Sequence, residues 1–222
     1  MSIVAGNNTY RISIDGSWSL EDFYELPHVF AQVYAFHCAF GVDVEARDPE
    51  RLSHAFASYP WRGGYSAVNF YNVLSSQIPR RFRPKVKSVQ YGSAGWYDLA
   101  LWVAAATAAG KVVKIVVDSA GSVNKLYNEI HEGLHHRRLL RIEEERKHLE
   151  LTKEQLEFVE NSSQQFARAL GFGNLTELNN FTGNPLATIK ILLSYYRRVR
   201  TLVDYTKKGK ASFPDEEPER RL

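Results

Sequence analysis

The stretch Gly92–Asp118, GSAGWYDLALWVAAATAAGKVVKIVVD, is the most apolar part of the sequence and lies close to its middle. Its reading decides the fold. Ser93 precedes a run of good helix formers and reads as an N-cap, with Asp98 in or just after the first turn. Lys111 and Lys114 lie towards the other end, so acid near the start and base near the end complement the helix macrodipole. Nothing between Asp98 and Lys111 is charged, a run of about a dozen residues, short of the roughly 20 that a membrane-spanning helix needs. The expectation is a helix buried inside the protein. Ala104 to Gly110 carries almost no side-chain bulk, which lets another helix approach closely. After Gly110, KVVKIVVD continues the helix, with a strand as the less favoured reading. A helix this apolar needs cover on most sides, from its own chain or from a second subunit.

The chain has 222 residues, of which 44% are apolar and 13% aromatic, ample for a real core and against global disorder. A formal charge of +3 is too small to argue for nucleic acid unless the charge is clustered. Cys38 is the only cysteine. That excludes an intramolecular disulfide and a cysteine-based zinc finger, and suits a reducing cytoplasm. Its apolar, aromatic neighbours make it a buried structural thiol. The first residues, MSIVAGNNTY, lack the basic start and long apolar core of a signal peptide.

Outward from the centre, Thr9–Ile14 alternates and is β-branched, a short strand. Asp15-Gly16 is a turn, and Ser19 caps a helix with Glu21 and Asp22 in its first turn. Pro27 is expected to break or kink that helix. Val29, Phe30, Val33, Phe36 and Phe40 then fall at helical spacing, and Asp48-Pro49 opens a further helix carrying Leu52, Ala55 and Phe56 inward. Ser66–Ile78 reads as a helix ended by Pro79, and Lys85–Tyr91 as a strand that pairs beside the first.

Gly121 marks a break before a long charged helical region whose apolar face is Val123, Leu126, Tyr127, Ile130 and Leu134, then Leu139, Leu140 and Ile142. Helix continues through Leu156, Val159, Phe166 and Leu170 until Gly171 and Gly173 stop it. A short helix follows around Leu175–Asn180, and Asn184-Pro185 opens a last one. From Lys207 the tail has too little apolar content to order itself. The fold class expected is α+β, mainly α. A small sheet of two or slightly more strands with packed helices comes first, followed by an all-helical C-terminal part. The corresponding domains are 1–120, 121–207 and a flexible tail over 208–222. Helices with charged backs and leucine faces associate, so a homo-oligomer is expected, most often a dimer.

Three candidate sites emerge. His131-Glu132-Gly133-Leu134-His135 matches H-E-x-x-H on a predicted helix. Histidines four apart share a helical face and can bind one zinc, and the glutamate can act as general base on metal-bound water. The five residues resemble the zincin metalloproteases, which would make His131 and His135 ligands and Glu132 the base. The flanks depart from that pattern: Arg138 and Arg141 stand where the extended motif has glycine and a third histidine. Glu143, Glu144 or Glu145 supplies a third ligand only if the chain bends back.

Gly92, Ser93 and Gly95, between a predicted strand and a predicted helix, form a second candidate, because free amides at a helix start favour an anion. A tight strand-to-helix turn is the plainer reading. The third candidate is basic clustering at Arg80, Arg81, Arg83, Lys85 and Lys87, at Arg137, Arg138 and Arg141, at Arg197, Arg198 and Arg200, and at Lys207, Lys208 and Lys210. Phe82 and Tyr91 accompany the first cluster and Tyr195-Tyr196 the third, a pairing that suits nucleic acid or anionic lipid headgroups.

Asp15–Asp22, DGSWSLED, and Ser93–Trp96, SAGW, resemble segments of small uncharacterised bacterial accessory proteins of the defence-operon type. The resemblance carries no catalytic residue and implies an accessory or sensor role. With no complete catalytic set, the expected function is a non-enzymatic oligomeric interaction protein, an adaptor or sensor. It needs no cofactor and is cytoplasmic, or peripheral at a membrane. A zinc-dependent hydrolase, and a binder of nucleic acid or an anionic membrane surface through the arginine clusters, are the alternatives.

Overall fold

The structure, a computed structural model, describes residues 9–40, 50, 64–141 and 151–216. The chain is α+β and mainly α, with these elements in order: β1 (Thr9–Ile14), α1 (Leu20–Phe40), α2 (Gly64–Gln77), β2 (Lys85–Gln90), β3 (Gly95–Ala100), α3 (Val103–Asp118), α4 (Ala120–His136), α5 (Lys153–Ala169), α6 (Thr176–Thr182), α7 (Pro185–Lys207) and β4 (Ala211–Ser212). Short 3-10 turns lie at Arg80–Phe82 and Leu139–Arg141. The expected helix start at Asp48-Pro49 and the acidic run after Ile142 fall outside the described residues. Among the described residues no helix is long and apolar enough to cross a membrane.

Contacts divide the chain into two compact units. One comprises Met1–Val44, Ile78–Val117 and Arg198–Leu222, the other Glu45–Gln77 and Asp118–Arg197. The units interleave along the sequence, where a consecutive division at 120 and 207 was expected.

The first unit is built on a four-stranded antiparallel sheet in the order β2-β3-β1-β4. Its apolar face carries Tyr10, Ile12, Ile14, Tyr97 and Leu99, all buried. Phe30 of α1 stacks on Tyr10 at 5.6 Å, and Phe23 meets Tyr97 at 6.2 Å. The start of the central stretch is therefore a strand, and the N-cap assigned to Ser93 is corrected. Gly95, Tyr97 and Leu99 turn inward while Trp96, Asp98 and Ala100 turn outward. With a strand hydrogen-bonded on each side, that alternation outweighs the helix propensity of the residues beyond it. Helix begins only at Val103, after the Trp102 carbonyl accepts the Ala106 amide at 3.2 Å. KVVKIVVD does continue that helix, to Asp118. The strands β1 and β2, expected side by side, are separated by β3.

Two further expectations are corrected in this unit. Of the break or kink expected at Pro27, the break does not occur: α1 runs on through it. An interior proline costs about 3 kcal/mol, but Leu26, Val29, Phe30 and Val33 around it are all buried, at about 1.5–3 kcal/mol each. Ser19 does cap the helix: its hydroxyl accepts the Asp22 amide at 3.2 Å while the Asp22 carboxylate accepts the Ser19 amide at 2.8 Å.

The second correction is the tail. Residues 208–216 are ordered rather than free: β4 pairs with β1, Phe213 is buried and stacks on Phe30 at 5.9 Å, and the Tyr10 hydroxyl donates to the Pro214 carbonyl at 2.8 Å. Lys210 donates to Asp22 at 2.8 Å, and Lys114 pairs with Asp215 at 2.7 Å. The close approach expected of another helix at Ala104–Gly110 is made by this tail, since a side chain on Gly110 would collide with Pro214.

The elements described in the second unit are all helices. Thr152 opens α5 with a capping box to Gln155. Gly171, at φ +83, closes it: its amide reaches the Arg168 carbonyl and the Phe172 amide reaches Ala167, the double bond of a Schellman motif. Asn184 accepts the Leu186 amide at 2.8 Å to open α7 at Pro185. The break before α4 falls at Ser119, and Gly121 lies inside the helix. Of the apolar face read along this region, Val123, Ile130, Leu134, Leu139, Val159, Phe166 and Leu170 are buried, Leu126, Tyr127 and Leu140 are half-buried and Leu156 is exposed. Tyr127, Phe166 and Tyr196 form an aromatic cluster there, with Tyr196 5.1 Å from Tyr127 and 5.5 Å from Phe166.

Candidate interaction surface

The histidine motif lies on the last turns of α4 with His131, Glu132 and His135 exposed and Leu134 fully buried. The inward residues of the motif serve packing. The ring of Phe158 on α5 fills the space where a side chain on Gly133 would start. Arg137 lies over the same ring at 4.0 Å, donates to the Gly133 carbonyl at 3.3 Å and pairs with Glu154 at 3.6 Å. His131 stacks on Tyr127 at 6.0 Å. Among the described residues no three histidine, cysteine, aspartate or glutamate side chains gather as a metal site. Glu143, Glu144 and Glu145 lie outside those residues.

Gly92 and Ser93 sit in the β2–β3 connection and Gly95 opens β3, so the helix start invoked for an anion site is not there. The Ser93 hydroxyl donates to the Asp15 carboxylate at 2.6 Å, which occupies it with an acid of the same unit. Gly95 is required by space: an added Cβ would collide with the backbone carbonyl oxygen of Gln90 and stand 3.0 Å from the Gly92 carbonyl oxygen and from Ile14.

The basic clusters fare differently from one another. Arg137 is held by the contacts above, and Arg138 takes a left-handed φ of 58 as the chain leaves α4. On α7, Arg197 Nη1 donates to the Tyr127 hydroxyl at 3.5 Å; Arg198 is half-buried and Arg200 exposed. The first cluster is presented as a surface. Arg80, Arg81, Arg83 and Lys85 are exposed, and every residue of β2 is exposed. Tyr34 of α1 fixes this segment: its hydroxyl donates to the Phe82 carbonyl at 2.6 Å and accepts the Trp102 amide at 3.0 Å. Phe82 packs on Trp102 at 5.4 Å, and Arg81 lies over Phe82 at 4.8 Å. Arg83 Nε donates to the Ile78 carbonyl at 3.0 Å. At the far end Tyr91 packs on Phe23 at 5.5 Å and its hydroxyl accepts the Trp18 amide at 3.3 Å.

The electrostatics of this segment are one-sided. No carboxylate occurs in the sequence between Glu50 and Asp98. Asp98 itself is neutralised by Arg11, whose guanidinium makes two 2.7 Å bonds to it and lies 4.6 Å over Trp96. That hydrogen bond, aided by Ser88 at 3.0 Å, holds the Asp98 carboxyl below the usual carboxylate range.

Sequence reading missed Val86 and Val89, which are 61% and 47% exposed on this strand. The alternation of Lys85–Tyr91 was visible; their exposure follows from the position of β2 at the sheet edge. No family model, curated protein or solved structure matches the chain.

Proposed function

We propose that the chain is a non-enzymatic interaction protein, an accessory of the adaptor or sensor kind, that captures an anionic partner on the cationic margin formed by Arg80–Tyr91. The observation that carries the reading is the concentration of Arg80, Arg81, Arg83, Lys85 and Lys87 on one exposed segment with no carboxylate from residue 51 to residue 97. Like-signed charges gathered on one margin raise the local concentration of an oppositely charged partner and speed its encounter. The segment is anchored through Tyr34, Phe82 and Trp102, so its cations are held on a rigid base. A buried lone cysteine suits a cytoplasmic setting.

The test is binding of full-length protein to fluorescent polyglutamate, to a single-stranded oligonucleotide and to anionic vesicles, each across a salt series. The expected result is binding to at least one of them that weakens with salt and falls about tenfold or more in an Arg80→Glu/Arg81→Glu/Lys85→Glu variant. Absence of binding at low salt, or binding indifferent to the variant, contradicts the reading. An Arg138→Glu/Arg200→Glu variant, altered in the other clusters, should bind as the unmodified protein does.

A further inference from the structure

We propose that β2 is an open edge that accepts one added strand, and that the strand is an extended peptide segment alternating acidic and apolar side chains. This rests on the anionic-partner reading above and specifies how that partner is held.

The edge is available. In the strand order β2-β3-β1-β4, β2 is hydrogen-bonded among the described residues to β3 alone, and all six of its residues are exposed. A strand paired on one side offers a row of amides and carbonyls to an incoming chain.

The two faces of β2 specify the partner's side chains. Val86 stands opposite Leu99 and Val89 opposite Tyr97, so both belong to the apolar face of the sheet. Leu99 and Tyr97 are 6% and 5% exposed, whereas Val86 and Val89 are 61% and 47% exposed. The apolar face thus runs on past the buried core as a ledge, continued by Tyr91 at 56% exposure. On the other face, Lys85 stands opposite Ala100 and Gln90 opposite Trp96, both outward residues of β3. The Ser88 hydroxyl reaches Asp98 and Lys87 Nζ reaches Thr9 at 2.6 Å, which places them on that face too. A strand laid along β2 therefore sets alternate side chains on the valine ledge and beside the lysines.

The same features exclude the other occupants. A second copy paired through its own β2 would bring lysine near lysine along the polar face, which is unfavourable. The register break between Val86 and Ser88, together with the edge lysines, is a device that deters indiscriminate strand addition. An acidic strand is the one that the lysines favour. Nucleic acid would use the cations but make no ladder and no use of the valines.

The experiment measures fluorescence anisotropy of full-length protein with labelled, end-blocked peptides of about eight residues. The first alternates Glu and Val. A second is the same peptide N-methylated at alternate residues on its pairing edge. A third is polyglutamate of equal charge, and an oligonucleotide is the fourth probe. The proposal predicts that the alternating peptide binds about tenfold or more tighter than its N-methylated form and than polyglutamate. It also predicts that Val89→Lys, at an exposed site, weakens the alternating peptide while leaving polyglutamate unchanged or tighter. Equal binding of the methylated and unmethylated peptides overturns strand addition, and so does indifference to Val89→Lys. If those results come with salt-dependent binding lost in the Arg80→Glu/Arg81→Glu/Lys85→Glu variant, the anionic-partner reading stands and only its strand mode fails. If no anionic probe binds at low salt, both fail.

Discussion

The carbonyl of Pro214 lies against the face of Gly110 in the space a β-carbon would occupy, and the hydroxyl of Tyr10 borders the same gap. The contact couples the segment after β4 to the middle of α3. It makes Gly110→Ala unfavourable although alanine is the better helix former by about 1 kcal/mol. The obstacle is backbone, which cannot swing aside as a side chain can. Urea unfolding should show Gly110→Ala losing about 2 kcal/mol or more. Gly121→Ala, in the first turn of α4 where nothing lies within 4 Å of an added Cβ, should be neutral or stabilising by up to about 1 kcal/mol.

Removal of residues 208–222 should destabilise the first unit, because it deletes β4, the buried Phe213 ring, the acceptor of the Tyr10 hydroxyl and the Lys210–Asp22 pair. Phe213→Ala alone should cost about 3 kcal/mol. A truncated chain that melts with the full-length protein would contradict the description of the tail as part of the core.

Acid should weaken the first unit in two stages. Burial lowers the His37 pKa from 6.5 to about 4. Above pH 6.5 the ring is neutral folded and unfolded, so it contributes no pH dependence. Between 6.5 and about 4 the unfolded chain takes up a proton that the folded chain refuses, and stability falls as pH falls, by up to about 3 kcal/mol. Asp22 acts lower: the Lys210 ammonium, the Ser19 amide and the Tyr205 hydroxyl hold its carboxyl well below 3.8. Its contribution is complete above the unfolded value and is lost as pH drops through the folded one. Unfolding free energies measured from about pH 7 to about pH 4.5 should slope downward, and a His37→Gln variant should flatten that slope.

Gly133 is the close-approach residue of the second unit. Gly133→Ala should destabilise it, since the β-carbon meets the Phe158 ring that Arg137 also covers. Phe158→Leu should partly relieve the Gly133→Ala defect, a non-additivity that a double-mutant cycle reads directly. His131→Ala and His135→Ala, at exposed positions, should leave stability within about 0.5 kcal/mol.

Much of the helical layer was legible from local chemistry: the Ser19 and Asn184–Pro185 starts and the Gly171 stop each follow from residues next to the end they define, whereas the Thr152 start was not singled out. The errors share a cause, which is that the deciding contacts are distant in sequence. Tyr97 and Leu99 belong to a strand because β1 and β2 flank them, and no property of residues 92–102 alone says so. Ser212 and Phe213 are ordered by partners at Ser13 and Phe30. The cationic segment was legible as composition. That Val86 and Val89 stand uncovered beside it depends on β2 being the edge strand, which the pairing order fixes.

The most direct measurement is amide hydrogen exchange of the full-length protein with and without polyglutamate, at low salt. The account predicts added protection confined to residues 80–91, with 131–138 and 197–200 unchanged. Protection centred on either of those other clusters, or no change anywhere while the probe is bound, would contradict the assignment of the binding surface.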